Sequence, residues 1–599
     1  MDGVPAFWLP LDGPFRVALQ FRVGQGHEPL SHRGISHLVE HLAFASLMER
    51  DHEKNGFVDE QRTVFWASGS EDEVASFLLD VATTIAHLPE ARVETERRIL
   101  SVEASRRGPS LAGSMLSWRY GPTGVGLLGY DELGLRWLDA AHVQYWADQN
   151  FTRQNAALWL SGPPPRGLQL PLRDGARLSW PKSKDADVPL PYCLRQATHL
   201  TGVGLLVDRD IATSSLIRIA ERRLQTRLRH ELGVAYEVGG GYLRVDAQTG
   251  HVVLGADSLP EQAGEVLREI LVALQELAAE GPNDAEVQRD IDLLSRAHGD
   301  ENAALGWLDS YALSELLGED EPRTPAQNVS EIREATGHQG KRLTRFLASA
   351  IAVLNREAEP PGEPFVSGDV WSKDVAEGRG FPPAGRDDGR RLIVGDVALS
   401  VVMGEDRRAT VQFDRCPACL WWADGSRVLY GEDGFLLRVK PWEWKDGNAA
   451  IALIDSNADP TAFVAMGEGT GPPPVAPPRP SVLPATSRGQ RRARILGWLL
   501  WVLISALLLG LALSPPQRST EGPYGITIQL DCGSRSSVAV VLHGLPSTVG
   551  AAERRPCREQ ATGSALGGLV GLVSIVFAAW IAWRWRRRDL ARRRAGPAG

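Results

Sequence analysis

Apolar and polar positions along residues 1–168 follow two different periods, and each period predicts one type of element. In Gly34–Phe44 the apolar residues recur at helical spacing, which predicts an amphipathic helix. Asn55–Val58 and Thr63–Phe65 alternate and are rich in strand formers, which predicts a turn and an edge strand. The apolar run Ala156–Leu160 predicts a closing strand. Residues 1–168 are therefore predicted to form one domain with both helices and strands.

The same kind of pattern begins again near Leu190, after a proline-rich connector, and continues to about Glu357. We therefore predict a second domain at 190–357 that is related to the first. The expected fold class is α+β, with two α/β sandwich domains that each place helices on one face of an antiparallel sheet.

Beyond residue 357 the composition of the chain changes several times. Residues 358–390 are rich in Pro, Gly and charged side chains, which is typical of a linker. Residues 391–469 contain short alternating segments separated by Asp-Gly turns, which predicts a small all-β domain of unassigned role. Residues 470–494 form a second linker, which is first proline-rich and then basic.

Two apolar runs near the C-terminal end, 495–513 and 566–583, are each long enough to cross about 30 Å of hydrocarbon. Arginines precede the first run and follow the second in the basic tail 584–599, so the positive-inside rule predicts that both ends are cytoplasmic. We accordingly expect two transmembrane helices and a multi-pass protein of the cell membrane, with its first domains in the cytoplasm. Buried core helices are the alternative for these runs.

The segment between the two runs, 514–565, is then expected outside the cytoplasm. It contains Cys532 and Cys557. An oxidising compartment would allow these two residues to form a disulfide, and free thiols are the alternative.

The charge of the chain excludes one class of partner. The net charge is −9 over 599 residues although the C-terminal tail is basic, so the preceding part is acidic. An acidic surface disfavours a nucleic-acid partner. Arginine heavily outnumbers lysine, which indicates a GC-rich bacterial source, and Met1–Pro5 lack the basic and apolar regions of a signal peptide.

The segment His37-Leu38-Val39-Glu40-His41 carries the most specific chemistry in the chain. On a helix, positions 37, 40 and 41 project from the same face. Neutral imidazole nitrogens are zinc ligands, and a carboxylate beside the metal can take a proton from water. The pattern therefore predicts one zinc ion per chain held by His37 and His41, with Glu40 as general base. A coincidental polar helix face is the alternative.

A third ligand is needed, because catalytic zinc usually has three protein ligands. Glu96 and Glu103 lie seven residues apart in a predicted helix, so they share one side of it. Together with the His-x-x-Glu-His order, this arrangement resembles the insulinase/pitrilysin family of metallopeptidases, the inverzincins. The resemblance implies that Glu103 is the third zinc ligand and that Glu96 orients a histidine. Taken alone, Glu103 would be a solvated helix carboxylate.

Two further segments are similar to segments of that family. Arg229–Tyr236 resembles its Arg-x-x-x-Gly-Leu-Ala-Tyr motif with Val in place of Leu, which implies that Arg229 and Tyr236 stabilise the oxyanion. Without the zinc motif, the same octapeptide would be a helix end with a Gly cap. Asn55 lies where family members bind substrate along an edge strand, although Gly follows it here instead of Ala.

The resemblance implies a zinc metalloendopeptidase that hydrolyses peptides or unfolded protein segments, here anchored to the membrane and facing the cytoplasm. Family members work as clamshells, so we expect homodimerisation or a hetero-partner around a closed chamber. The alternative is a catalytically silent peptidase fold that serves as a membrane-tethered binding or assembly module. The two appended regions keep that alternative open.

Overall fold

The structure is a computed structural model. It describes residues 1–45, 53–106, 108, 110–186, 188–297, 301–335, 339–385, 388–404, 406–466, 517–521 and 527–531. Contacts between Cα atoms divide the chain into two units, Met1–Arg479 and Pro480–Gly599. The first unit contains both predicted domains and the region that follows them.

The first predicted domain with the connector after it is called the first half (residues 1–189), and the second predicted domain is called the second half (residues 190–357). In its described residues the first half contains one sheet and five α-helices. Its strands are β1 (Ala6–Trp8), β2 (Phe15–Phe21), β3 (Glu53–Val58), β4 (Thr63–Gly69) and β5 (Ala156–Leu160), in the order β1-β5-β2-β4-β3. Its helices are α1 (Ile35–Ala45), α2 (Glu71–Ala86), α3 (Val93–Arg106), α4 (Leu111–Tyr120) and α5 (Ala140–Asn150). α2 begins at a capping box in which the Ser70 side chain accepts from Glu73 N and Glu73 caps Ser70 N in return. In the described part of the chain, β3 lies at the edge of this sheet and pairs with β4.

The second half repeats this topology. Its strands are β6 (Tyr192–Gln196), β7 (Leu200–Asp208), β8 (Val238–Arg244), β9 (Thr249–Asp257) and β10 (Ile351–Asn355), in the order β6-β10-β7-β9-β8. Its helices are α6 (Ile211–Leu224), α7 (Ala263–Glu280), α8 (Asp284–Ala297), α9 (Glu301–Leu317), α10 (Pro325–Ala335) and α11 (Gln339–Leu347). The edge strand β8 corresponds to β3, and α6 corresponds to α1.

The two halves exchange one helix each, in the sense that one helix of each half packs on the sheet of the other half. α1 and α2 cover the face of the first sheet that presents Val17, Leu19 and Phe21. The opposite face is covered by α9 from the second half, which buries Leu308 and Leu316 against that sheet. In return, α4 from the first half packs Met115 on the second sheet. Each half therefore supplies part of the other half's hydrophobic core.

These observations correct the predicted fold class for the two halves. The sheets are mixed, because β1 runs parallel to β5 and β6 runs parallel to β10. Each sheet also has helices on both faces, because the exchanged helices α4 and α9 cover the faces that were expected to be bare. The architecture is mixed α/β with several sheets.

The region after the second half is also mixed, so its prediction as all-β is wrong. It has two four-stranded sheets, made of β11 (Arg379–Phe381), β12 (Arg390–Val394), β13 (Ala398–Met403) and β14 (Arg407–Gln412), and of β15 (Ala418–Trp421), β16 (Arg427–Tyr430), β17 (Leu436–Val439) and β18 (Phe463–Ala465). Between β17 and β18 lies helix α12 (Gly447–Asn457). α12 buries Ala450, Ile451 and Ile454 at helical spacing in the core of this region.

The transmembrane part of the predicted fold class is likewise corrected. Within the residues that the structure describes, no helix has both the length and the apolarity needed to cross a bilayer. The two predicted runs, 495–513 and 566–583, and the predicted disulfide residues Cys532 and Cys557 lie outside the described residues. In unit 2 the structure describes one antiparallel pair, β19 (Gln517–Glu521) with β20 (Thr527–Asp531). The cytoplasmic location stays a prediction from the sequence.

Candidate metal centre

Helix α1 presents the predicted zinc ligands, and its N-terminus is fixed by a buried carboxylate. Glu28 accepts hydrogen bonds from the backbone N–H groups of Gly34 and Ser36, each at 2.9 Å. It also accepts from Arg33 Nη1 at 3.2 Å, so its charge is balanced inside the protein. The apolar face of α1 is buried in the core of the first half. The polar face, with positions 37, 40 and 41, is thereby turned toward α3.

The two histidines and a carboxylate of α3 converge on one point. Glu103 Oε1 lies 4.0 Å from His37 Nε2, and Glu103 Oε2 lies 3.8 Å from His41 Nε2. Possible ligand atoms of His37, Glu40 and His41 all lie within 4.8 Å of one another. The structure thus brings together the three residues that the sequence analysis assigned to zinc, together with the assigned base.

The other ring nitrogen of each histidine faces a carboxylate. His41 Nδ1 lies 3.3 Å from Glu96 Oε2, and His37 Nδ1 lies 3.1 Å from Glu132 Oε1. A carboxylate only accepts, so these contacts favour the tautomer with the proton on Nδ1 and a lone pair on Nε2. Both rings therefore aim a metal-binding nitrogen at Glu103. Such outer partners set ligand orientation in zinc sites.

Glu132 was not identified from the sequence. It lies in an irregular segment between α4 and α5, 29 residues after Glu103, and no periodic pattern or spacing rule points to it. Its side chain is held close to α1, since a Cβ on Gly34 would meet Glu132 Cβ at 2.9 Å. Gly34 also has a φ of +95°, which favours glycine. Gly34 therefore permits both the turn into α1 and the approach of Glu132.

Glu40 is only 6% exposed, and its carboxylate lies against the edge strand β3. Glu40 Oε2 is 3.8 Å from His41 Nε2. A Cβ on Gly56 would meet Glu40 Oε1 at 2.5 Å, so the backbone of β3 passes directly beside the carboxylate. Burial raises the pKa of Glu40 to about 7, helped by the charges of Glu103 and Glu96 and opposed by His37. A carboxyl group with such a pKa can exchange a proton near neutral pH.

The pKa values of the two histidines shift in opposite directions. Burial disfavours the charged ring of His37, but the hydrogen bond and charge of Glu132, with the charges of Glu40 and Glu103, raise its pKa above the usual value. Burial and the neighbouring His37 lower the pKa of His41 despite Glu96. The electrostatic surroundings thus make the two imidazoles inequivalent.

Asn55 lies on the edge strand β3, next to Gly56. Its side chain is exposed, and its Oδ1 accepts a hydrogen bond from the backbone N–H of Gly56 at 2.9 Å. Among the residues that the structure describes, β3 pairs with β4 alone, so its other side forms the edge of the sheet. The residue assigned to substrate binding therefore lies on the edge strand, next to Gly56, whose backbone passes beside Glu40.

Arg229 and Tyr236 lie together in the second half. Arg229 belongs to a π-helical turn, Gln225–Glu231, that continues α6. Its guanidinium carbon lies 5.2 Å from the centroid of the Tyr236 ring, and the Tyr236 side chain is 77% exposed. None of the contacts described above joins this pair to the histidines. The strand that follows, β8, ends at Arg244, whose carbonyl accepts from Gln61 Nε2 in the β3–β4 turn at 3.2 Å.

Part of the second half is similar to a known protein family. Residues 192–294 match the family described as the Peptidase M16 inactive domain. The predicted resemblance is therefore confirmed at the level of this domain, which contains neither the His37–His41 segment nor Glu103. No curated protein matches this chain.

Several solved structures are similar to this chain. A protease from Helicobacter pylori has 15% identity and a TM-score of 0.49, over 59% of this chain and 97% of that one. A chain of complex III2 from Candida albicans has 12% identity and a TM-score of 0.47, over 59% of this chain and 93% of that one. The first half of the periplasmic protease PqqL from Escherichia coli has 12% identity and a TM-score of 0.47, over 60% of this chain and 90% of that one.

Proposed function

We propose that this protein is a zinc-dependent peptidase of the M16 type that hydrolyses peptides or unfolded protein segments. The observation that carries the proposal is the convergence of His37, His41 and Glu103 beside the buried carboxyl of Glu40, next to the open edge of β3. A scaffold protein has no physical need to combine these groups.

The donor set fits zinc. Two imidazole Nε2 atoms and one carboxylate are the kind of ligands that leave a further coordination position open. Each imidazole has its Nδ1 occupied by an acid, as expected when Nε2 ligates a metal. A zinc ion bound by His37, His41 and Glu103 would supply Lewis-acid polarisation of a peptide carbonyl and of water.

The residues of the chain supply the rest of the chemistry. An extended peptide adds to β3 as a further strand, which places its backbone beside Glu40 without demanding particular side chains. Glu40 takes a proton from the attacking water and passes it to the leaving amine. Arg229 and Tyr236 are proposed to stabilise the charge that develops on the carbonyl oxygen.

We also propose that a second chain, either an identical copy or a different protein, covers the metal site. The exposure of Tyr236 and of half the Glu103 side chain (46%) is consistent with a surface that a partner covers. Analytical ultracentrifugation of the full chain tests it, and a strictly monomeric protein with full activity contradicts it.

The test of the function is the Glu40→Gln variant of the full chain. We expect the wild type to bind one zinc and to cleave a quenched peptide library, with loss of cleavage on chelation. Glu40→Gln should bind zinc equally well and lose at least about 10²-fold in turnover, because only the proton acceptor is removed. Glu90→Gln, at an exposed carboxylate, is the matched control and should behave as wild type.

The competing function is a catalytically silent binding module, which the match to an inactive-domain family favours. This alternative predicts that the wild type cleaves no peptide, whether or not it binds zinc. A fully active Glu40→Gln protein contradicts the proposed mechanism, and an inactive wild type that binds zinc favours the silent module.

A further inference from the structure

The region of β11–β18, residues 379–466, packs directly behind the segment that carries Glu132. Leu127 and Leu133 of that segment share one buried cluster with Leu420, Val428 and Val464 of the appended region. The rings of Tyr130 and Tyr430 form an edge-to-face contact with centroids 5.7 Å apart. Glu132 thus lies between two residues, Tyr130 and Leu133, whose side chains are held by the appended region.

A second contact brings the two parts together at the end of α4. A Cβ on Gly121 would meet the Glu432 carbonyl oxygen at 2.5 Å and Gly434 N at 2.9 Å, so the turn between β16 and β17 lies against this glycine. Lys184 Nζ also forms an ion pair with Glu432 at 2.8 Å. The interface therefore combines an apolar centre with a polar rim, as stable interfaces do.

The segment of Glu132 is in turn tied to the start of α1. The Tyr130 carbonyl accepts from Arg33 Nε at 3.2 Å, and the Arg33 carbonyl accepts from Gly134 N at 2.9 Å. The Arg33 guanidinium also contacts Glu28, the residue that caps α1. A continuous set of contacts therefore runs from Tyr430 through Tyr130 and Arg33 to the helix that carries the histidines.

We propose that the appended region, residues 379–466, positions the metal site by holding Glu132 against His37 Nδ1. This inference rests on the zinc site proposed above. Glu132 fixes the tautomer and orientation of a zinc ligand, and the appended region fixes the segment from which Glu132 projects. The positioning residue that links the two parts is Tyr430.

The test measures zinc affinity of the full chain by chelator competition, with the unfolding temperature as a check on folding. Glu132→Gln should weaken zinc binding about 10- to 100-fold, the usual effect of losing an outer partner. Tyr430→Ala should weaken zinc binding by about three- to tenfold, less than Glu132→Gln, because it only loosens the segment. Tyr430→Phe keeps the ring and should restore the wild-type affinity.

The decisive comparison combines the two positions. In the Glu132→Gln background, Tyr430→Ala should cause no further loss of zinc affinity, because both act through one contact. The matched control is Leu453→Ala, a truncation in the same region that faces its other core. It should leave zinc affinity unchanged. Should Tyr430→Ala fail to fold, Tyr430→Leu retains the apolar volume and replaces it.

The other results separate failure of the inference from failure of the proposed function. Unchanged zinc affinity in Tyr430→Ala shows that the appended region does not act on the metal site, and leaves the proposed function intact. If the losses of zinc affinity in Glu132→Gln and Tyr430→Ala are additive, the appended region acts on the metal site by a route that does not involve Glu132. A wild type that binds zinc without cleavage contradicts only the proposed peptidase function, and a wild type that binds no zinc overturns both.

Discussion

Protonation of Glu40 affects the stability of the metal-free protein. Its pKa rises from the ordinary glutamate value of 4.5 to about 7, chiefly because burial disfavours the charge. Between pH 4.5 and 7 the folded protein therefore binds more protons at Glu40 than the unfolded chain. The free energy of unfolding consequently falls as the pH rises through this range.

This linkage predicts how Glu40→Gln changes the stability of the protein when zinc is removed with a chelator. At pH 8 the variant should be more stable than wild type, by about 3 kcal/mol, because it has no buried charge to desolvate. At pH 5 most of the difference should be lost. Urea unfolding at the two pH values measures it, with Glu90→Gln as the control. If the gain in the free energy of unfolding of Glu40→Gln is larger at pH 5 than at pH 8, the pKa of Glu40 is not raised in the folded protein.

Gly56 gives a second prediction at the residue scale. An added methyl group would meet Glu40 Oε1 at 2.5 Å and the Phe44 ring at 2.7 Å. We expect Gly56→Ala to displace the Glu40 carboxylate, to reduce turnover at least about tenfold, and to lower stability by about 1–3 kcal/mol, while zinc still binds. The control is Gly241→Ala on the edge strand β8, where a Cβ meets no atom within 4 Å. Equal kcat values for the two variants would remove the proposed role of Gly56.

The candidate site could be predicted from the sequence only where helical spacing links its residues. Positions 37, 40 and 41 share one face of a helix, as do 96 and 103, so the pattern suffices to group them. Glu132 reaches His37 from an irregular segment, and its place depends on packing against Gly34 and on a region about 300 residues further along the chain. No local pattern encodes such a contact.

At the scale of elements, α9 attaches the second half to the first sheet through a charged contact as well as through apolar packing. Asp309 on α9 accepts from Arg62 at 3.0 Å, from Gln20 at 2.7 Å and from Trp159 Nε1 at 3.2 Å. Arg62 is buried, and the Asp309 side chain is about one third exposed. The acid therefore accepts four hydrogen bonds, two from strand residues of the sheet and two from Arg62 in the β3–β4 turn.

Removal of this acid should loosen α9. We expect Asp309→Ala to lower the free energy of unfolding by about 1–3 kcal/mol, because it deprives Arg62, Gln20 and Trp159 of an acceptor. Asp292→Ala, at an exposed carboxylate on α8, should change it by less than about 0.5 kcal/mol. Chemical denaturation compares the two. Equal effects would show that the charged contact contributes nothing to the attachment of α9.

The elements themselves were more predictable than their partners. The sequence predicts the repeat of two related halves, and the structure shows one strand order twice. The pattern does not reveal that α4 and α9 each pack on the sheet of the other half. An apolar stripe indicates that a helix face is buried, but not which surface covers it. α12 was missed because the Asp-Gly turns around it favoured strands, although Ala450, Ile451 and Ile454 have helical spacing.

At the scale of the whole unit, the exchange of helices predicts that neither half is stable alone. A fragment of residues 1–189 lacks α9 and exposes Ala18, Val64 and Trp159. We expect it to aggregate or to lack cooperative unfolding, and to recover both solubility and cooperativity when residues 190–466 are expressed with it. Circular dichroism and gel filtration measure the result. A monomeric 1–189 fragment with a sharp thermal transition contradicts the prediction.

The exchange also has a consequence for the order of events during synthesis. The last strand of the first sheet is complete at Leu160, whereas the residues of α9 that cover its outer face begin about 145 residues later, at Leu305. At elongation rates of about 5–20 residues per second this delay lasts roughly 7–30 s. During this delay, the apolar sheet face that carries Trp159 remains exposed on the nascent chain. The folding of this protein is therefore expected to depend on chaperones that bind such a face on the ribosome.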